Sequence, residues 1–405
     1  MNILQVNKFF YICDGTSRYL FNLSDLLAQK EHTVIPFSMM HPNNVSNPYS
    51  RYFISQISFR KESLSNPWKI LGRMFYSLEA KRKINMLLDE NRIDIVHLHS
   101  IYHHISSSII PEIKKRNIPI VMTVHDYHLI APNNLLFHNG KICEITKPDK
   151  YYKALIHHCV KGSLPASVLE VAEKYFYQYV LKDRDLIDQF IVPSKFVKEK
   201  LHEYGISWDK LKIIPHFIDT QKYKPDYRLG SYLLFVGGLY PHKGTRFLID
   251  IMERIPEINC YIIGVGSEEK WLKKIISDKK IKNIKLLGFV SDNKLKEYMQ
   301  HCRFTIMPSL WYEGFGYVLI EANACGKPVI ASNIGAIPEV IREGKNGILF
   351  KPNDVGECVS KICKLWNNSS KITKMGRNAR KLVEQIYNPS DHYQHLLEIY
   401  QSVLR

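Results

Sequence analysis

No apolar run along the 405 residues approaches the roughly 18–20 consecutive residues that a helical bilayer span needs. The opening stretch, MNILQVNKFFYICDG, also lacks the apolar core of an export signal, because Asn7 and Lys8 interrupt it. It reads as a first strand, and a cytoplasmic location is expected. Cysteine is sparse, at eight residues, and in that compartment the thiols are expected to stay reduced. A structural zinc site usually shows a tight Cys-x2–4-Cys pair, and after Cys143 the partner position is taken by Thr146. Cys143 and Cys159, with His157 and His158 between them, are read as structural thiols ahead of zinc ligands or a redox pair.

Acidic residues are outnumbered. Against 56 Lys and Arg stand 39 Asp and Glu, a formal charge of +17, which implies polyanionic company. Zinc-finger spacing, an RNP-type aromatic pattern and a long basic run are all missing, so nucleic acid is not the expected partner. An enzyme in peripheral contact with an anionic membrane, at the inner face of the plasma membrane, with phosphate-bearing ligands, fits better. The helical segment LPASVLEVAEKYFYQYVLKDR is a candidate for that contact, though it suits a core helix equally. The rest of the composition, 45% hydrophobic and 23% charged, is that of a soluble globular protein.

The length favours two domains. Strand-like runs (NILQV, HTVIPFSM, IDIVHLHS, IPIVMTVHD, QFIVPS) alternate with helical patterns such as Thr16–Lys30 and Leu78–Glu90. A second series (SYLLFVGG, NCYIIGVG, IKLLGFV, FTIMPS, KPVIAS, GILF) repeats the rhythm. Short buried strands alternating with helices predict parallel sheets wound on both sides, hence an α/β chain of two Rossmann-like domains. The expected domains are 1–190, 191–385 and a terminal helix over 386–405 that packs back across the domain gap. Ligands are expected beyond the carboxyl ends of the strands, in the cleft between the domains.

The most informative stretch is PSLWYEGFGYVLIEANACGKPVIAS. A strand ends at PS, a glycine-rich loop follows, and a helix is expected from Tyr317 to a stop at Gly326. The N–H groups of Gly314, Phe315 and Gly316 at that helix start form a candidate anion site. Two carboxylates flank the glycines, Glu313 before them and Glu321 one turn into the helix. Carboxylates would repel a diphosphate and suit sugar hydroxyls instead, so Glu313 is assigned to a transferred sugar and Glu321 to a ribose. As plain alternatives, Glu313 is a solvated loop acid and Glu321 complements the helix dipole.

These residues, with VGGLYPHKG, IPHFIDTQKYKP, NRIDIVHLHSIYHHIS and IPIVMTVHDYHLIAPN, resemble the retaining GT-B glycosyltransferases of family 4, the group that includes bacterial surface-polysaccharide enzymes. Its pattern is a Glu, seven residues and a second Glu, matched by Glu313 and Glu321. The resemblance covers nearly the whole chain. It implies a GT-B fold and a metal-independent hexosyltransferase that retains anomeric configuration. The first domain would bind the acceptor and the second the donor. The donor is expected to be a UDP- or GDP-linked sugar, held without a further cofactor. The acceptor is expected to be a glycan, preferably lipid-linked.

The resemblance also assigns roles. Lys243 would neutralise the leaving diphosphate, and His125 would hydrogen-bond the transferred sugar with Asp126 orienting its ring. Gly15, in the first strand–helix loop, would lie near donor phosphate and acceptor, although Asp14 replaces a second glycine there. Gly238 stands in the phosphate loop where many members carry Arg; His242, Arg246 or Arg18 are the candidate substitutes. Phe289 and Val290, with Gly288, would receive the nucleobase. Separately from the resemblance, alternation along the strand VHLHS is read as placing His97 and His99 on opposite faces, with His99, nearer the strand's end, the better acceptor-site candidate and His97 in the core. No metal ligands are assigned, and no DxD motif follows a strand. A nucleotide-sugar sensor and a GT-B epimerase are the alternative readings.

Overall fold

The computed structural model describes residues 1–57 and 67–404. Its strands are β1 (Asn2–Val6), β2 (Thr33–Phe37), β3 (Ile95–Leu98), β4 (Ile120–Thr123), β5 (Phe137–His138), β6 (Lys141–Ile142), β7 (Gln189–Val192), β8 (Leu211–Ile213), β9 (Tyr232–Val236), β10 (Asn259–Ile263), β11 (Ile284–Gly288), β12 (Phe304–Met307), β13 (Val329–Ser332) and β14 (Gly347–Phe350). They form two six-stranded sheets, ordered β2-β1-β3-β4-β7-β8 and β11-β10-β9-β12-β13-β14, with β5-β6 as a separate hairpin. Every pairing within the two large sheets is parallel.

The reason is in the strands. β3 (IVHL), β4 (IVMT), β12 (FTIM) and β13 (VIAS) are buried at every position, as strands covered by helices on both faces must be. The intervening helices show one apolar face and a clear start. Asp14 caps the helix Gly15–Gln29 by accepting from Ser17 N–H, with Ser17 returning a bond to Asp14 N–H. Ser77 caps the helix Leu78–Glu90 by accepting from Ala80 N–H, without a return bond.

Two compact units result. The first holds 1–135, 144–215 and 392–405; the second holds 136–143 and 216–391. The division falls at Pro215 rather than at 190, because β7 pairs with β4 and β8 pairs with β7, keeping both strands in the first sheet. β8 carries little signal in the sequence, because Lys212 and Ile213 are exposed on this short edge strand. The hairpin β5-β6, two residues per strand, gives no periodic signal at all. The last helix, Pro389–Leu404, joins the first unit from His392 onward. Polar contacts anchor it: Tyr400 Oη lies 2.7 Å from His97 Nδ1, and His392 Nε2 lies 3.1 Å from Tyr19 Oη.

In each sheet the strand order reverses once. The reversal lies between β1 and β3 in the first sheet and between β9 and β12 in the second. The loops after these strands open at the crevice where doubly wound sheets bind ligands.

Candidate active site

In the second unit, the loop after β9 runs through Gly237 and Gly238 into the short turn Pro241–Lys243, and the loop after β12 runs from Pro308 to Gly316. Two backbone contacts lock the loops together. Leu310 N–H donates to His242 O at 2.9 Å. Gly244, at φ +74°, lies so close to Pro308 that a Cβ would fall 1.8 Å from its carbonyl oxygen. Only glycine permits that approach.

The result is a pair. Lys243 Nζ donates to Glu313 Oε1 at 2.7 Å, and Ser309 Oγ donates to the same oxygen at 2.6 Å. Lys243 also sits over the Trp311 ring, 4.9 Å from its centroid. Glu313 is 4% exposed. Burial alone would raise its pKa, but the Lys243 ammonium and hydrogen bonds from Ser309 and Trp311 win, and the carboxyl is held below its ordinary value. A third segment fixes its backbone. Ala336 N–H donates to Glu313 O at 2.8 Å, and Gly335, at φ +60°, packs so that a Cβ would lie 2.7 Å from both Glu313 N and O.

The helix after the glycines, Tyr317–Ala324, is buried almost all round, its Glu321 and Asn323 included, as a helix with apolar residues on every face must be. Gly316 opens it at φ 82°. Phe315, 5% exposed, turns its ring into the core against His216 and Tyr387, so only its backbone remains a candidate ligand. Glu321, 2% exposed, accepts from Tyr223 Oη at 3.0 Å. At the other end Arg380 donates to the carbonyls of Ala324 and Tyr223, closing that terminus.

Gly238 precedes a ring rather than open space: a Cβ there would meet Tyr240 at 2.6 Å. The candidate substitutes for a loop Arg fare differently. Burial, helped by Lys243, lowers the His242 pKa to about 4, so its ring is neutral, packed 4.9 Å from Trp311. Arg246 is drawn to the buried Glu268 at 2.5 Å and stacks on Trp271. Arg18 lies on the helix Gly15–Gln29 of the first unit. After β11, Phe289 is 75% exposed, with Val290 half-buried beside it. An aromatic ring so open at a strand's carboxyl end is available for stacking.

In the first unit, the residues after β1, β3 and β4 meet in a histidine relay. His99 Nε2 lies 2.6 Å from Gln5 Oε1, and His99 Nδ1 lies 3.1 Å from His125 Nε2. With Gln5 Oε1 as acceptor, His99 carries its proton on Nε2, and His125 donates Nε2–H to His99 Nδ1. The enclosing protein lowers the His125 pKa to about 4, despite an opposing pull from Asp14. His125 is therefore neutral, with Nδ1 an acceptor. Asp126, expected to orient this ring, instead accepts from the backbone N–H of His128 at 2.9 Å. His97 and His99 are not on opposite faces. Residues two apart on a strand share a face, and their rings stack 4.5 Å apart. Both nitrogens of buried His97 are bonded, to Tyr400 and Thr123. Gly15 opens its helix behind the capping Asp14, so the acid that replaces a glycine serves the helix.

Ser309, Trp311, Gly335 and Gln5 escaped the sequence reading. Gly335 carried a faint signal, as the glycine of SNIGAIPE beside the Glu loop; the others carried none.

Two such sheets define the GT-B glycosyltransferase class. Residues 13–222 match the model of Glycosyltransferase Family 4, and residues 222–382 match Glycosyl transferases group 1. The chain belongs to glycosyltransferase family 4. It is 24% identical over 383 residues to an uncharacterized glycosyltransferase of Methanocaldococcus jannaschii, covering 94% of this chain and 93% of that one. Over 176 residues it is 28% identical to the O-antigen chain mannosyltransferase C of Escherichia coli, 43% of this chain and 47% of the other. Among solved structures it resembles the sucrose-phosphate synthase of Thermosynechococcus elongatus (TM-score 0.74, 17% identity, 99% and 98% covered). It also resembles Anabaena HepE in complex with UDP and glucose (TM-score 0.71, 17% identity, 99% and 100% covered).

Proposed function

We propose that the chain transfers a hexose from a UDP- or GDP-linked donor to a glycan acceptor, preferably lipid-linked, with retention of anomeric configuration. The observation that carries this reading is the Lys243–Glu313 pair at the strand-order reversal of the second sheet. A cation there can shift toward a diphosphate, and the carboxylate it leaves can hold sugar hydroxyls. Relatives lend support: one acts on O-antigen, and HepE was solved with UDP and glucose.

In the proposed reaction the bond from the anomeric carbon to the diphosphate breaks while the acceptor oxygen bonds to the same face. The acceptor's proton passes to the leaving phosphate, so no enzymic nucleophile is required. Lys243, with N–H groups of Gly314, Phe315 and Gly316, offsets the growing charge on the diphosphate. Metal is then unnecessary for the transfer step. Glu313 stabilises the sugar as it gains oxocarbenium character. His125 accepts a sugar hydroxyl at Nδ1. Glu321 holds the ribose, and Phe289 with Val290 receives the base, while Gly15 and Gly238 allow close approach of the phosphates.

Among the described residues no helix is long and apolar enough to cross a membrane. Peripheral contact with an anionic membrane, at its cytoplasmic face, is supported by exposed apolar side chains around the helix Leu164–Tyr175: Ile156, Leu164, Val168, Tyr179 and Val180. A thermal-shift panel of UDP, GDP, ADP and CMP tests the donor class. UDP or GDP is expected to raise Tm in proportion to its affinity; a flat response to both would remove the donor assignment.

A further inference from the structure

The first unit holds a second cluster of chemistry-bearing side chains that sugar transfer does not use. His103 follows β3 and His128 follows β4, while Glu170 and Glu173 lie three residues apart on the helix Leu164–Tyr175 and so share a face. His103 Nε2 is 3.1 Å from Glu170 Oε2 and 3.2 Å from Glu173 Oε2, and His128 Nε2 is 3.5 Å from Glu173 Oε2. One donor atom from each of the four lies within 4.8 Å of all the others.

We propose that His103, His128, Glu170 and Glu173 form a divalent metal site of the zinc class. Four bonds of about 2.0–2.1 Å in a tetrahedron place neighbouring ligand atoms about 3.3–3.4 Å apart; three of the six separations, at 3.1, 3.2 and 3.5 Å, lie near that edge, and the rest fall within 4.8 Å. Two imidazoles with two carboxylates suit a borderline ion such as Zn2+ better than Mg2+ or Ca2+, which favour oxygen alone.

Burial supplies the independent argument. Glu173 is 0% exposed and His128 2%, yet Glu173 Oε1 and His128 Nε2 make no hydrogen bond. A buried carboxylate oxygen and a buried imidazole nitrogen left this way are costly. A cation between His128 Nε2 and Glu173 Oε2 satisfies the imidazole nitrogen, and two carboxylates balance its charge.

The surroundings are built to hold the ligands. Lys174 Nζ donates to His128 O, which fixes the loop that carries this ligand. The Tyr102 ring packs 4.0 Å from the His128 ring, and Lys174 in turn lies over Tyr102 at 5.2 Å. His103 and Glu170 keep 19% and 14% of their side chains exposed, so an ion has an entry path. The helix Leu164–Tyr175 leads directly into a π-helical stretch, Phe176–Leu181, a distortion often retained at functional positions. Bound metal would tie this helix to the loops after β3 and β4, the same loops that carry His99 and His125. Its role is to brace them.

The site is tested on the full chain, stripped with a chelator and titrated with ZnCl2 by calorimetry and thermal unfolding. One equivalent is expected to bind and to raise Tm, because metal bound to the native state alone stabilises it. Glu170→Gln, at the exposed edge, and His103→Asn should each weaken Zn2+ at least about tenfold, and Glu170→Gln should leave the metal-free Tm close to wild type. Co2+ in place of Zn2+ should give the visible bands of a four-coordinate ion, lost in both variants. Nucleoside diphosphate binding should persist in the chelated protein, which separates this result from the donor assignment. Absence of stoichiometric Zn2+, or equal affinity in wild type and both variants, would overturn the proposal and leave the cluster an ion pair.

Discussion

Lys243 Nζ lies 2.7 Å from Glu313 Oε1, across 70 residues of sequence. The pair joins the two loops that open at the strand-order reversal of the second sheet. Its members are unequally buried, with 25% of the Lys243 side chain exposed and 6% of Glu313. The carboxylate is therefore the fixed partner, and the ammonium is the one able to turn toward a ligand.

Replacing Lys243 with Ala should lower transfer on the order of a hundredfold, as loss of one transition-state stabiliser does. It should also destabilise the fold by about 2–3 kcal/mol, under the usual cost of breaking a buried pair because Lys243 is partly solvated. Steady-state rates and denaturant unfolding measure both. Wild-type turnover in this variant would remove Lys243 from the site.

The same pair makes a pH prediction. Glu313 has a folded pKa below its unfolded value of about 4.3, so its contribution is fully present above that value and is lost as pH falls through the folded pKa. In Lys243→Ala, burial is left without its main counterweight and the carboxyl pKa should rise. The stability gap between wild type and variant should be widest near pH 7 and shrink below about pH 4. A gap constant across that range would mean Glu313 is not ionised in the wild type.

Gly335→Ala should damage the site without touching any ligand. The new Cβ would sit 2.7 Å from Glu313 backbone atoms at a φ of +60°. A loss of about 1–3 kcal/mol is expected, with kcat falling more than nucleotide affinity. Unchanged kcat would show that Glu313 needs no such support.

Glu313 and Glu321 should separate in their kinetics. A carboxylate on the ribose binds ground and transition states alike, so Glu321→Gln should raise KM and weaken the bare nucleoside diphosphate. Tyr223→Phe, which removes the bond to Glu321 Oε1, should shift affinity in the same direction by less. Glu313→Gln should instead depress kcat. If calorimetry finds nucleotide affinity lost in Glu313→Gln and kept in Glu321→Gln, the two roles are assigned wrongly.

Much of this architecture was legible in the chain. Strands such as IVMT and FTIM are apolar at nearly every position, and only a doubly covered sheet accepts them. The Glu pair and its glycines were equally plain. What stayed hidden was short or long-range. β8 is an edge strand with two exposed residues, and β5-β6 is too brief for a period. Gly335 acts on Glu313 from 22 positions away, through a contact of backbone on backbone. The His103, His128, Glu170 and Glu173 cluster gathers three separate segments, with no spacing a motif could express. The two strand histidines were misplaced by a slip of period: two residues along a strand return to the same face, where His97 and His99 stack.

The most direct measurement is release of nucleoside diphosphate from a panel of UDP- and GDP-sugars, by wild type and by Glu313→Gln, with Tm shift by the free nucleotide followed in parallel. Wild type should release nucleotide from one donor class. Glu313→Gln should lose most of that release while the same nucleotide still stabilises it. Stabilisation of the wild type with no release from any donor would make the chain a sensor, and wild-type release by Glu313→Gln would take the reacting sugar away from Glu313.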